Sequence, residues 1–213
     1  MPQITATCIT LRPAANGPDN DRPSGIDKGP VDEVELTPWG VADDQVHDTA
    51  HHGGRGKAAY AYADEDAAWW SERIGEDVPA GRFGENLRTS GVDHAGSVIG
   101  SCWRIGASVE VEVSMPRVPC GTFRHHMGDR VGWVKEFARA NRTGIYLRVR
   151  AGGIVRPGDS LTIVEVPDHG VTIGSWFARA TADDGRALLA AEANGWSMDP
   201  DLRAEIETVL ATS

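Results

Sequence analysis

Cys120 closes the run Met115-Pro116-Arg117-Val118-Pro119-Cys120, in which two prolines bracket an arginine just ahead of a thiol. Proline rings hold φ near about −65° and push the preceding residue toward extended geometry, so the thiol rides on a stiff path outside helix or strand. Gly121 then frees the chain to turn. Between Met115 and His126 lie Arg117, Arg124, two histidines and no acid, inside a chain of formal charge −10. Positive potential lowers a cysteine pKa, and the thiolate is the form that attacks electrophiles and binds metal. The plainer reading, a small buried hydrophobe, stays open for any free cysteine. His125 and His126 add the option of a Cys/His nucleophile pair, although residues that far along a loop or helix need not face the thiol.

Three other stretches carry polar chemistry. His47, His51 and His52 suggest a histidine metal site, since i and i+4 histidines on a helix can share an ion. Gly53 and Gly54 come at once and no carboxylate stands at the usual spacing. The alternative for His52, Gly53, Arg55 and Lys57 is an anion cradle in which glycine N–H groups point at a phosphate and the two cations add charge; a solvated turn is the third option. Gly81-Arg82-Phe83-Gly84-Glu85-Asn86-Leu87 offers an acceptor in Glu85 and a two-sided amide in Asn86 for reading a heterocycle, or else forms a tight turn. Lys28 meets an anion or pairs with its neighbour Asp27 on the surface.

The elements that must position these residues are mostly strands, with helices after them. Residues 3–11 read as a strand with Cys8 in the core, and 12–30 as a long loop. Val31–Leu36 is a second strand. Asp64 caps a helix whose face carries Ala67, Trp70 and Ile74, ending at Gly75. Trp103, Ile105, Ala107, Val109, Val111, Val113 and Met115 alternate with mainly polar residues, a period of two that defines half-buried strands. Gly106 breaks them into a hairpin or bulge. Cys120 therefore sits in the loop leaving a strand, a usual place for functional groups on a rigid scaffold. Next come a helix over 130–140 with Val131, Val134 and Phe137 on one face, a strand over 145–150, a turn at Pro157-Gly158-Asp159 and a strand over Leu161–Val166. Beyond residue 174 the pattern is helical, with Thr181/Asp184 and Asp199-Pro200 as helix starts and Leu202, Ile206, Val209 and Leu210 on one stripe. So short a helical tail has to dock on the strands or on another subunit.

The 213 residues can bury a full core, and 40% hydrophobic content with seven tryptophans argues against disorder. The acidic balance disfavours a nucleic-acid polymer or an anionic membrane as partner. No stretch approaches the roughly 20 apolar residues of a membrane span. The N-terminus lacks the basic and apolar regions of a signal peptide. With three cysteines, a reduced, cytoplasmic compartment is expected.

The ordered set SGIDKGPV (24–31), HHGGRGKA (51–58), GRFGENL (81–87), IGSCWRIG (99–106), VSMPRVPCGTF (113–123), TGIYLRV (143–149) and VRPGD (155–159) resembles the MOSC domain, named for the C-terminal domain of molybdenum cofactor sulfurase. The tail is similar to that of small stand-alone bacterial members. The resemblance implies an α+β fold: a β-barrel domain with inserted helices over 1–173 and a C-terminal helical extension over 174–213. It implies a molybdenum cofactor (molybdopterin), with Cys120 ligating molybdenum or carrying sulfur. Lys28, His52, Gly53, Arg55, Lys57 and Arg117 would hold the cofactor's anionic part, and Glu85 and Asn86 the pterin or substrate. The implied activity is an enzyme's, reduction of a small N-hydroxylated compound with electrons from a separate donor protein, in a monomer or homodimer. A sulfur carrier using a Cys120 persulfide, and a non-enzymatic module binding an anionic metabolite, are the alternatives. Met115, and Gly121-Thr122-Phe123, depart from the residues the family often has there, which bears on the substrate more than on the fold.

Overall fold

The structure, a computed structural model, describes residues 1–11, 14–15, 23–46 and 53–212. Its strands in chain order are β1 (Gln3–Thr10), β2 (Ala14–Ala15), β3 (Pro23–Ser24), β4 (Lys28–Val31), β5 (Val34–Thr37), β6 (Gly40–Val41), β7 (Ala59–Ala63), β8 (Leu87–Ser90), β9 (Cys102–Ile105), β10 (Val109–Pro116), β11 (Ile145–Ala151), β12 (Gly153–Val155) and β13 (Leu161–Glu165). Its α-helices are α1 (Asp64–Ile74), α2 (Gly121–His126), α3 (Trp133–Ala140), α4 (Ile173–Arg179), α5 (Ala182–Ala193) and α6 (Pro200–Ala211). The expected strand over 31–36 is two strands, and α2 is a helix that the sequence pattern did not announce.

The long alternation divides at Gly106 as expected: β9 and β10 form an antiparallel hairpin with Val109 opposite Ile105. Trp103, Ile105, Val109, Val111, Val113 and Met115 are buried. Between Val113 and Met115 the register against β11 shifts. Such an irregularity bends a strand and re-aims the chain beyond it, here the segment that leads to Cys120.

Eight strands make one sheet in the order β13-β9-β10-β11-β7-β8-β1-β4. All pairs are antiparallel except β7 with β8. Parallel neighbours require a crossover, and α1 supplies it, starting directly from the end of β7. The sheet is not the expected closed barrel. It curls until the start of β1 meets the turn before β13: Ile4 N–H donates to Asp159 O at 2.9 Å, and Gln3 bridges Ser160. Further along, Thr7–Thr10 pair with β4 on that same edge of β1. A strand edge pairs once, so β4 occupies the edge that closure would need. β12, β5 and β6 form a separate three-stranded sheet.

Two apolar clusters result. The larger gathers the inward residues of β10 and β11, among them Val111, Val113, Ile145, Leu147 and Val149. The smaller is aromatic, with Tyr60, Tyr62, Trp70, Phe83, Phe123 and Phe137. β7, reading Ala-Tyr-Ala-Tyr-Ala, explains both at once: Ala59 and Ala61 face the first cluster, and Tyr60 and Tyr62 face the second. α1 buries Ala67 and Trp70 and ends on Gly75 as anticipated, but Ala63 is its N-cap and Asp64 its first helical residue. α3 starts at Trp133; Phe137 is buried as expected, but Val131, expected on the same face, is exposed, and Trp133 is buried beside Phe137.

The C-terminal helices dock on the sheet. Thr181 and Asp184 form a reciprocal capping box, and Asp199 caps α6 with Pro200 in its first turn. Ile173, Trp176, Leu188, Leu202 and Ile206 join the larger cluster. Among the described residues, no helix is long and apolar enough to cross a membrane.

One buried histidine makes stability depend on pH. His94 is enclosed, its Nε2 lies 2.9 Å from Thr89 Oγ1, and its Nδ1 has no partner among the described residues. Burial pushes its pKa down to about 4. In the unfolded chain it titrates near 6.5. Between these values the unfolded state binds the proton and the native state does not, so stability is full above about 6.5 and falls as pH drops toward 4. The expected loss is about 3 kcal/mol. Urea midpoints of wild type and His94→Gln, compared from pH 7 to 4, check this: the difference between them should close as pH falls.

Candidate functional site

The end of β10 delivers Pro116, Arg117, Val118 and Pro119 in non-helical conformation, and Cys120 then becomes the N-cap of α2. Its carbonyl accepts from Arg124 N–H at 3.1 Å, which anchors the short helix. The Cys120 side chain is half-buried and packs at the edge of the aromatic cluster. Cys8 and Cys102 are buried. Burial pushes the Cys8 thiol up to about 12 and raises Cys102 as well, which keeps both protonated and leaves Cys120 as the accessible sulfur.

Arg117 turns inward and is 4% exposed. Its guanidinium carbon stands 4.0 Å from the centre of the Phe123 ring and 5.6 Å from that of Tyr60. Its Nη1 is buried without a hydrogen-bond partner among the described residues. Stacking on aromatic faces is worth up to about 2 kcal/mol when desolvated, but it does not satisfy an N–H donor. A buried donor left unsatisfied costs about 1–3 kcal/mol or more when charged. The arrangement is suited to an anion that arrives from outside the chain.

Arg117 and Cys120 open on one cavity of about 260 Å3. Lys28, Gly53, Lys57 and Asn86 also line it. The 23–26 segment and the loop after β6 approach closely to form one wall. A Cβ on Gly25 would stand 1.8 Å from the Gln45 carbonyl oxygen, so only glycine fits there. Trp39, on the tight turn between β5 and β6, and Val46 stand exposed at the rim.

The polar residues have partners that the sequence did not reveal. Lys28 does not lie on the surface beside Asp27; it is buried in an ion pair with Asp44. The Asp44 carboxylate also accepts from Thr10 N–H and Thr10 Oγ1, each at 2.8 Å, and from Asn86 Nδ2 at 2.7 Å. Burial pulls the Lys28 pKa down against the pull of Asp44. Burial pushes Asp44 up, but Lys28, Thr10 and Asn86 together hold it below the usual carboxylate range. Asn86 spends its other groups inside the protein, accepting from Tyr60 N–H and donating to Cys8 O. Lys57 forms a 2.7 Å ion pair with Asp201 of α6.

Other expected residues fall elsewhere. Glu85 is not brought to the cavity: it accepts from Gly81 N–H and Phe83 N–H at 2.9 Å each and pairs with Arg88, closing its own turn. Arg55 lies over Trp39, 5.3 Å from the ring centre, and lines a second cavity against the C-terminal helices. His47, His51 and His52 lie outside the described residues. His125 bonds Asp129 through Nδ1, and His126 bonds the Arg82 carbonyl through Nε2. Asp44, the buried Tyr60 and the half-buried Tyr146 were missed; an Asp-Asp pair in a loop and isolated tyrosines on strands carry no spacing signal that would have found them.

Two solved structures share this architecture: YiiM from Geobacillus stearothermophilus, with a TM-score of 0.76 and 24% identity over 99% of this chain and 100% of that one, and YiiM from Escherichia coli, with a TM-score of 0.71 and 22% identity over 99% and 93%. What they share with this chain is the fold, a mixed α+β sheet with helices that does not close into a barrel. The MOSC domain model matches residues 48–162, and the chain belongs to the MOSC domain family. Among curated proteins it is similar to "Reductase" of Gibberella moniliformis (strain M3125 / FGSC 7600), 32% identical over 140 residues, covering 63% of this chain and 24% of that one. It is also similar to "Protein YiiM" of Escherichia coli (strain K12), 34% identical over 109 residues, covering 49% and 48%. The match thus spans about a quarter and about half of the length of those two relatives.

Proposed function

We propose that the chain is an oxidoreductase that holds a molybdenum cofactor in the 260 Å3 cavity and reduces small N-hydroxylated compounds, with Cys120 as its ligand to the metal. The observation that carries this reading is the placement, in one cavity, of a half-buried thiol and a buried guanidinium whose Nη1 lacks a partner among the described residues. The donor set fits the group. A thiolate is a soft ligand suited to such a metal. Among the described residues Cys120 is not joined by two further His, Cys, Asp or Glu side chains, which suits a metal whose other positions are filled by an organic ligand. The cofactor's phosphate matches Arg117, whose planar fork of donors recognises phosphate oxygens.

When bound, the cofactor supplies a two-electron redox change. The residues of the chain bind, orient and exclude water. Phe123 and Tyr60 shield the guanidinium from solvent, which strengthens its pull on an anion. The proline-stiffened loop and the Arg124–Cys120 hydrogen bond hold the sulfur in place. Lys57 adds a second cation, shared with Asp201. The relative named a reductase supports the reaction class, and the electrons are proposed to come from a separate donor protein.

Expression with molybdate, then elemental analysis and pterin fluorescence, tests the reading. Wild type should carry molybdenum and pterin together and reduce benzamidoxime with reduced methyl viologen. Cys120→Ser should hold at least about tenfold less molybdenum, since a hydroxyl is a poor ligand for a soft centre. A Cys120→Ser protein with full metal content and full activity would sink the proposal. A persulfide on Cys120 without any pterin would transfer it to sulfur carriage.

A further inference from the structure

Lys28 and Asp44 form a charged pair that the binding reading leaves idle. A lysine meant only to hold a phosphate gains nothing from a carboxylate beside it. Yet Asp44 is built in from three directions, by Thr10 of β1, Asn86 ahead of β8 and Lys28 of β4. Both side chains are nearly closed to bulk water, at 7% and 4% exposure, and both line the cavity. With four side-chain hydrogen bonds made to the chain, Asp44 is an orienting group, and Lys28 stands beside it on the cavity wall. An ammonium has three donors, and Asp44 takes one.

Resting on the reductase reading, we propose that Lys28, oriented by Asp44, is the proton donor of the site. Its ammonium passes a proton to the oxygen that leaves when the substrate's N–O bond breaks. For a hydroxylamine the balance is R–NHOH + 2 e− + 2 H+ → R–NH2 + H2O. The N–O bond breaks, and the two electrons come from two equivalents of a one-electron donor such as reduced methyl viologen, a redox change that the cofactor would mediate when bound. One proton goes from Lys28 to the departing oxygen, the second reaches nitrogen from water, and solvent at the cavity mouth restores the proton on Lys28.

The charges around Lys28 define how it titrates. Facing it are Asp44 from the loop after β6, Cys8 from β1 and Glu85 from the turn before β8, with Asp27 next to it in sequence and Lys57 and Arg117 also on the cavity wall. Cys8 stays a thiol, pushed up to about 12 by burial, and Glu85 is paired with Arg88. Asp44 is therefore the partner that favours the charged form of Lys28, while burial brings its pKa down from the ordinary lysine value, the direction that makes an ammonium a stronger proton donor.

The test uses the cofactor-loaded protein with benzamidoxime and reduced methyl viologen. Lys28→Arg keeps the charge but cannot release a proton at working pH. It should lower kcat at least 100-fold, within the span of general acid catalysis, with KM and molybdenum content within about twofold of wild type. Asp44→Asn removes the negative charge that favours the ammonium, so the basic limb of the kcat profile should move about one unit or more to lower pH. A readout apart from activity comes from 13Cε-lysine NMR, because the chain has only three lysines, Lys28, Lys57 and Lys135. One signal should titrate below the other two, should vanish in Lys28→Arg and should move lower still in Asp44→Asn. A metal-replete Lys28→Arg enzyme with wild-type kcat overturns the inference, as does a basic limb that stays put while the NMR titration shifts. Failure of the reductase reading looks different: metal and pterin are then missing from wild type and variants alike.

Discussion

Arg117→Met should raise the stability of the cofactor-free protein, or leave it unchanged, while removing the cofactor. The side chain is buried, and Nη1 makes no hydrogen bond to a described residue. Removing a buried unsatisfied donor recovers about 1–3 kcal/mol, against which stands the lost stacking on Phe123 and Tyr60, about 1–2 kcal/mol. Methionine fills much of the same space among those rings. Losing one partner of a buried charge pair in the loaded protein costs about 2–5 kcal/mol, or roughly 30- to 5,000-fold in affinity. Thermal midpoints of the stripped protein, together with molybdenum and pterin per chain, read both effects. A residue there only for packing would show the reverse, with lower stability and unchanged cofactor content.

Phe137→Ala should cost about 3–5 kcal/mol, the usual loss for emptying a buried aromatic site and a large part of a domain's 5–15 kcal/mol. Phe137 is fully enclosed, stacked on Trp70 at 5.2 Å between ring centres and edge-on to Phe123 at 4.7 Å and Phe83 at 5.3 Å. Phe123 is the buried residue of α2, so the cavity left by Phe137 lies directly under the helix that Cys120 caps. The urea midpoint should fall, and amide exchange over 121–127 should rise more than exchange in β10 and β11. A loss below about 1.5 kcal/mol with unchanged exchange in α2 would show that the helix is held from elsewhere.

Much of the fold was legible because its determinants are local. The alternation from Trp103 to Met115 and the capping residues Thr181, Asp184 and Asp199 each act within one strand or one helical turn, so reading neighbours was enough. The start of α3 was misplaced because Val131 fits a helical stripe that extends past Gly132, whose left-handed backbone begins the helix later. Barrel closure failed for a reason no local pattern carries, the prior pairing of β4 with the edge of β1.

The site divides the same way. The ordered motifs and the stiff, cationic approach to Cys120 are properties of short segments, and from them the sequence alone determined the family and which thiol and which arginine to watch. The tertiary structure decided what each polar group meets. It joined Lys28 to Asp44 across 16 residues and Lys57 to Asp201 across 144, and it turned Glu85 toward Arg88 and away from the cavity. A side chain's type travels with the sequence, but its charge partner and its exposure depend on which distant elements pack beside it, and these came together only when the sheet curled.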